Sequence, residues 1–508
     1  MLAPDYLDHA PDRLVLLWQQ VEDDILRDVA RRISKMDTMT PTANWQLWRY
    51  EQTEALRQDV VKKLARYTGK SEAEIRRLMQ KAATRAMEAE DEIYYHYGKE
   101  PTPFADNATL QALLNAGYQQ TAGTFHNLTA TTANTVSGQF EAALDRAHLK
   151  VSSGAFDYKS AIKGAVDSLA DTMKYVTYPT GHTDTLEVAA RRAVLTGVNQ
   201  TGAKLQVARA DEMGVEFFET TAHGGARPSH AEWQGRQFHR GGAVDYMGKH
   251  YPDFEAATGY GTGAGLCGWN CRHTFFAIFP ELGAPPAWTQ ESLEALNARD
   301  IEYNGGKYTR YEISQMQRAR ERTVRKYKRR YLAEDAAGAD TTASAVKLRQ
   351  ARQELTDFIS ATGGSRADSA RTSVAGFGRS EAGKASYTAR KQERFDSANV
   401  ELQQMREAGT IKAKGKLIES PPAPNEINFA SEHVLQRWAE RGMGPMDAER
   451  IIRSSKVAMS QRNGTQTCYY SEYGFVAIGQ NGNVSSIGPL DEGGQKLMEV
   501  VKKHGIPH

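Results

Sequence analysis

The densest chemistry in this 508-residue chain lies between Thr221 and Pro280. His223, His230, His239, His250 and His273 fall there, with Cys267 and Cys271, among many glycines and aromatics. Imidazole and thiolate together are the ligand set of zinc, which takes four ligands in a tetrahedron. Cys267-x3-Cys271-x-His273 offers three of them close together, and His223 or His230 can supply a fourth from upstream. Against a metal, C-x3-C differs from the common C-x2-C knuckle, and cysteine is often only a small buried apolar residue. Three readings stand open. One is a structural zinc held by Cys267, Cys271, His273 and His223. Another is a metal-free knot of polar hydrogen bonds. The third is a nucleophile pair, Cys267 or Cys271 beside His273, for which no orienting third group is identifiable. No other cofactor is expected.

Clustered glycine and proline mark turns rather than long helices, so flanking elements must position this segment. Before it the pattern is helical. Trp18, Val21, Ile25, Val29 and Ile33 recur at the steps of one helix face. A helix from about Thr42 is expected to end near Gly69, with Ser71 and Glu74 forming a capping box for the next. Further helices are read in TLQALLNAGYQQTAGTF, SGQFEAALDRAHLKVSSG, DYKSAIKGAVDSLADTM and the stretch to Gly214. Val215, Phe217 and Phe218 then read as a short strand. After Pro280 comes a very basic helix with Arg318, Arg320, Arg322, Arg325, Lys326, Lys328, Arg329 and Arg330. Such a stripe either meets phosphates with salt-sensitive affinity, is solvated, or pairs with acidic helices.

Composition sets wide bounds. Lys plus Arg number 64 and Asp plus Glu 62, so the chain as a whole is no polycation. No run of about 18 apolar residues suggests a membrane span. The first residues lack a basic stretch followed by an apolar one, so Sec export is not expected. Three cysteines do not make a disulfide framework, which fits an intracellular origin.

The motifs HGGARPSHAEWQG (His223 to Gly235), YPDF (Tyr251 to Phe254) and GYGTGAGLCGWNCRH (Gly259 to His273) resemble the phage minor capsid protein 2 family, relatives of the Mu-type head morphogenesis proteins. The resemblance extends through QMQRARERTVRKYKR to VAGFGRSEAGKAS (Val374 to Ser386). It implies a structural protein in which the helices before a small domain contact the portal. It also implies a location in the virion, in the capsid interior, after synthesis in a bacterial cytoplasm. Partners would be portal and capsid proteins, with packaged DNA near the 318–330 helix.

From Asp335 the chain becomes rich in Ala, Ser, Gly and Thr, with one helix ending at Gly363 and Gly364, and then PPAP near residue 421. This reads as a linker, because such a run cannot lie inside a helix or central strand. The last eighty residues read as two helices, three strands and a closing helix, with Asn481-Gly482 as a hairpin turn. Their order and the H-x3-R-x3-RG motif, His433, Arg437 and Arg441 with Gly442, resemble phage-borne members of the barnase/EndoU/RelE-like nuclease superfamily. That implies metal-independent RNA cleavage. His433 would act as base or acid, Arg437 and Arg441 would clamp the phosphate, and Tyr469, Tyr470 or Ser486 would complete the site. A plain amphipathic helix packing Val434, Leu435 and Trp438 inward explains the same residues.

The expected architecture is a mostly α N-terminal region, a small α+β head-morphogenesis-like domain and a small C-terminal α+β domain. Its divisions are 1–105 helical, 106–290 helical plus the Gly/His/Cys domain, 291–334 basic helix, 335–428 linker with helix, and 429–508 nuclease-like. The expected function is that of a minor capsid or head morphogenesis protein, with an RNase toxin or effector in the last domain as the alternative.

Overall fold

Leu14, Trp18, Val21, Ile25, Val29 and Ile33 are all buried and form the inner face of helix α1 (Asp12–Ile33). The structure is a computed structural model and describes the chain apart from residues 37–41, 154–155, 179, 284, 365, 425, 430–431 and 508. Within helices, the side chains at 42, 43, 129, 130, 432, 433, 437 and 439 are also outside the description. The chain forms two units, Met1–Ala382 and Gly383–His508.

Helix α2 (Thr42–His96) is continuous for 55 residues and does not stop at Gly69. The expected capping box is absent. Ser71 Oγ donates back to the Tyr67 carbonyl at 2.9 Å, and Glu74 instead accepts from Arg77 at 2.6 Å. Leu56, Val60 and Leu64 before the glycine, and Ile75, Leu78 and Met79 after it, lie in one buried stripe. Packing of that stripe outweighs the roughly 1 kcal/mol that a mid-helix glycine costs. Helix α3 (Ala108–Ser152) likewise runs unbroken where two helices were expected. Helices α4 (Tyr158–Thr172) and α5 (Leu186–Met213) come next, each started by a side-chain cap, Asp157 and Thr185.

Helices α3 and α5 touch almost backbone to backbone. A Cβ on Gly117 would fall 2.1 Å from Thr201 Oγ1, and one on Gly197 would fall 2.2 Å from Thr121 Oγ1. Each glycine receives the threonine of the other helix. Residues of α1 to α5 share a single core, so no seam separates 1–105 from the helices after it.

After α5 the chain makes a three-stranded antiparallel sheet with β1 (Phe217–Thr220) at its centre. The short helix α6 (Pro228–Ala231) and strand β2 (Gln237–His239) come next, and β3 (Phe275–Ala277) closes the sheet. Phe218 stands opposite Phe238 on one side and Ala277 on the other. This is the expected small α+β element behind a helical region.

The basic helix is α7 (Arg310–Ala336), opened by a capping box of Thr309 and Glu312. Four of its cations pair with carboxylates of other helices. Arg329 Nη1 lies 2.5 Å from Glu22 Oε1, Nε lies 3.3 Å from Asp23 Oδ1, and Nη2 donates to Tyr175 Oη at 2.9 Å. Arg325 reaches Glu187 at 3.2 Å, Arg330 reaches Asp167 at 2.6 Å, and Lys326 reaches Asp171 at 3.1 Å. Of the readings of this stripe, pairing with acidic helices describes these four residues.

Burial pushes the Asp23 carboxyl up to about 6, with Arg329 and Arg325 opposing the shift. A raised folded value means that the contribution is full at acid pH and is lost as pH rises through about 6. Asp23→Asn cannot ionise. The stability of the native protein relative to this variant should therefore fall as pH goes from 4 to 7, measured by denaturant midpoints. A flat difference over that window would contradict the burial of this carboxylate.

Helix α8 (Thr342–Ala361) belongs to the N-terminal unit, and α9 (Arg379–Glu407) leads into the C-terminal one. There, strands β4 (Lys416–Glu419), β5 (Val457–Gln461), β6 (Gln466–Ser471), β7 (Gly474–Gly479) and β8 (Val484–Gly488) form an antiparallel meander in that order. Helices α10 (Glu432–Arg441) and α11 (Pro445–Ser454) cover one face through Val434, Trp438, Ile451 and Ile452. Phe395, Ala398 and Leu402 of α9, with Leu497 and Val501 of α12 (Glu492–Lys503), cover the other. The segment read as a linker thus supplies two long helices and an edge strand. Leu417 pairs with Met459 across β4 and β5, in register with the sheet's own core.

Candidate functional site

His230, Cys271 and His273 come together in the N-terminal unit, and all three are buried. Pro228 starts α6 and brings His230 inward. The chain around Cys271 is folded by tight backbone contacts. A Cβ on Gly265 would lie 2.0 Å from the Gly259 carbonyl, and one on Gly268 would lie 2.5 Å from that of Gly263. Cys267 and Asn270 adopt positive φ, 58° and 55°. Asn199 of α5 then pins the loop, its Nδ2 donating to the carbonyls of Cys271 (2.9 Å) and His273 (3.0 Å).

The donor atoms are close. His230 Nδ1 and His273 Nδ1 are 3.4 Å apart, and Cys271 Sγ is 3.7 Å from each. His230 Nε2 is 2.9 Å from the Ala264 carbonyl, and His273 Nε2 is 3.1 Å from Gln234 Oε1. Burial pushes His230 down and His273 well down, with His223 and His230 adding to the effect on His273. Burial also raises the Cys271 thiol and raises that of Cys267 well above its ordinary range. As free thiols both stay protonated at neutral pH, a poor basis for a nucleophile.

The sequence-derived set is only partly assembled. Cys271 and His273 are in the cluster, and His230 joins them rather than Cys267. Cys267 Sγ points to the His273 carbonyl at 3.5 Å. His223 stacks flat on His273, with ring centroids 4.4 Å apart, and its Nδ1 lies 3.1 Å from the Gly224 carbonyl. Burial, with Arg272 adding, takes His223 down to about 4. His239 and His250 lie elsewhere, on Glu216 and Asp245.

The cluster lines a cleft of about 790 Å³ whose lining also includes Arg191, Arg272, Arg318 and Arg371. Asp8 lies 3.4 Å from Arg272 and 3.9 Å from Arg371, and Glu22, Asp171, Asp184 and Glu187 also line the cleft. Burial, and then Arg371 and Arg272, push Arg318 down to about 10.

The proposed nuclease residues are dispersed or lie outside the description. The side chains of His433 and Arg437 are outside the described residues. Arg441 Nη1 donates to the Ile487 carbonyl, which ties α10 to β8. Tyr469 and Tyr470 are both buried but belong to cores on opposite faces of the sheet. Trp438 is core, packed edge-on against Phe429 at 4.9 Å, whereas Leu435 is 49% exposed rather than inward.

A family model described as phage minor capsid protein 2 matches residues 2–360. The chain belongs to that family. As a phage minor capsid protein it is a structural protein of the phage head and a virion component among other phage structural proteins. No curated protein and no solved structure matches it. The minor capsid match covers nearly all of the N-terminal unit and none of Gly383–His508. Among the described residues, no helix is long and apolar enough to cross a membrane.

Proposed function

We propose that the N-terminal unit seats this minor capsid protein at the portal or on the inner surface of the head, with Gly383–His508 carried as an attached module. The observation that carries the reading is the coincidence of the family match, residues 2–360, with one compact unit, Met1–Ala382. Its long helices, held by internal ion pairs, suit a fixed scaffold among other subunits. The protein should co-purify with assembled heads at low copy number and bind purified portal protein. Normal heads after deletion of the gene, together with absence from virions, would remove this role. Contact with packaged DNA through residues 318–330 would rest mainly on Arg322, which is exposed, since Arg325, Lys326, Arg329 and Arg330 are paired internally.

A second activity in the C-terminal unit has one observation in its favour. His433 and Arg437 sit one turn apart on α10, in a unit that the minor capsid match leaves out. In an α-helix generally, a base or acid and a phosphate clamp four residues apart can share one face. RNA cleavage by the full chain in EDTA, abolished in His433→Ala and slowed about 10²–10³-fold in Arg437→Ala, is the expected result. RNA left intact by the native chain, with no toxicity on expression, would leave the structural role alone.

A further inference from the structure

The hydrogen bonds around the buried cluster fix where its protons are. The Ala264 carbonyl can only accept, so His230 Nε2 carries a hydrogen and donates to it. Gln234 Oε1 accepts the backbone N–H of His223 at 3.1 Å, while its amide nitrogen donates to Asn297 Oδ1 at 3.2 Å. That orientation makes Gln234 an acceptor toward His273 as well, so His273 Nε2 also carries a hydrogen. Both neutral rings therefore turn bare Nδ1 lone pairs toward one another at 3.4 Å. The one proton on Cys271 can serve only one of them. Two buried lone pairs facing each other, with a thiol alongside, call for a cation.

The distances identify its class. Zinc bonds of about 2.0–2.1 Å to nitrogen and about 2.3 Å to sulfur, at tetrahedral angles, place two nitrogens about 3.3–3.4 Å apart and nitrogen and sulfur about 3.6 Å apart. The cluster has 3.4, 3.7 and 3.7 Å. A mixed imidazole and thiolate set suits zinc over the hard cations. The acceptors on the two Nε2 atoms are the outer partners that commonly fix a ligating histidine's tautomer.

We propose that His230 Nδ1, Cys271 Sγ and His273 Nδ1 bind one zinc-class divalent ion, the Cys271 thiol releasing its proton to solvent as the ion enters. All three residues line the cleft, and a water from it completes the tetrahedron. Cys267 is outside the set, because the donor atoms that lie within 4.8 Å of one another are those of His230, Cys271 and His273. The ion ties α6 to the loop before β3, two segments about forty residues apart in sequence. This inference stands apart from the role in the head, which rests on family membership, and its failure would leave that role untouched.

The test uses the full chain, stripped with a chelator that is then removed, and Co²⁺ or Zn²⁺ alone as the probe. One equivalent of Co²⁺ should bind, with a thiolate-to-cobalt absorption band in the near ultraviolet that one equivalent of Zn²⁺ removes. Cys271→Ser should abolish the band, and His230→Gln should weaken zinc by more than the roughly 10–100-fold that loss of an outer partner costs. Cys267→Ala should keep both band and stoichiometry. Circular dichroism checks that each variant is folded. If Cys271→Ser does not fold, the native protein and Cys267→Ala still decide the matter. No stoichiometric binding by the native chain, or a band lost in Cys267→Ala and kept in Cys271→Ser, overturns the assignment.

Discussion

Replacing Arg329 with alanine should lower the stability of the N-terminal unit by about 3–5 kcal/mol, the usual result of stripping one partner from a buried ionic network. Glu22 and Asp23 are 0% and 2% exposed, and Arg329 is the cation nearest both. Its loss leaves two carboxylates in the core, with Arg325 3.8 Å from Asp23 as the remaining charge at hand. Tyr175 also loses the donor to its hydroxyl oxygen. The two units should give separable transitions in denaturant, and only that of Met1–Ala382 should move. Restoring neutrality with Glu22→Gln and Asp23→Asn in the Arg329→Ala background should recover part of the loss. A drop below about 1 kcal/mol, the size of an exposed pair, would mean that water reaches the network.

The second large effect concerns the C-terminal unit. A fragment Gly383–His508 should fold cooperatively, whereas Phe429–His508 should not. The shorter piece lacks β4 and α9, and with them Phe395, Ala398, Leu402, Ile411 and Leu417 from one face of the sheet. Each large side chain contributes about 1.5–3 kcal/mol when fully buried. Their sum rivals the roughly 5–15 kcal/mol that stabilises a whole domain. The cut also uncovers the edge of β5, a template for aggregation. Sharp thermal unfolding of Phe429–His508, with dispersed amide signals, would show that the meander needs only four strands.

Residue order determines some elements of this chain and leaves others to distant partners. Period and punctuation are local, so α1, α5, α7 and the Asn481-Gly482 hairpin between β7 and β8 are legible from residue order. Gly69 resembles a helix end because its neighbours in sequence are Thr68, Lys70 and Ser71. The buried stripe of α2 is defined by a partner helix that no local window contains. Lys416–Glu419 is short and sits beside PPAP, so its strand character comes from β5, some forty residues on. Val457–Gln461 merges with the helical pattern before it, since Val, Ala, Met, Ser and Gln in a row carry no period of their own. In the site, Cys271 and His273 are readable from spacing. His230 is one of two upstream candidates, and only the turn at α6 distinguishes it from His223. Cys267 pairs with Cys271 by proximity in sequence, and its positive φ turns it away. The basic stripe of α7 shows the same limit, because its acidic partners lie on helices more than 100 residues earlier.

The reciprocal glycine and threonine contacts between α3 and α5 act as a two-point latch. Gly117 faces Thr201 and Thr121 faces Gly197, so the two notches run in opposite directions along antiparallel helices. Sliding one helix by a turn, about 5.4 Å, would set Thr121 against Thr201 where only a glycine fits. Sliding it the other way would set Thr201 against Leu113 and Thr121 against Ala193. Axial shear at this seam is therefore opposed by the two threonines. If α3 and α5 keep this register while a phage head is built or filled, they move as a single unit.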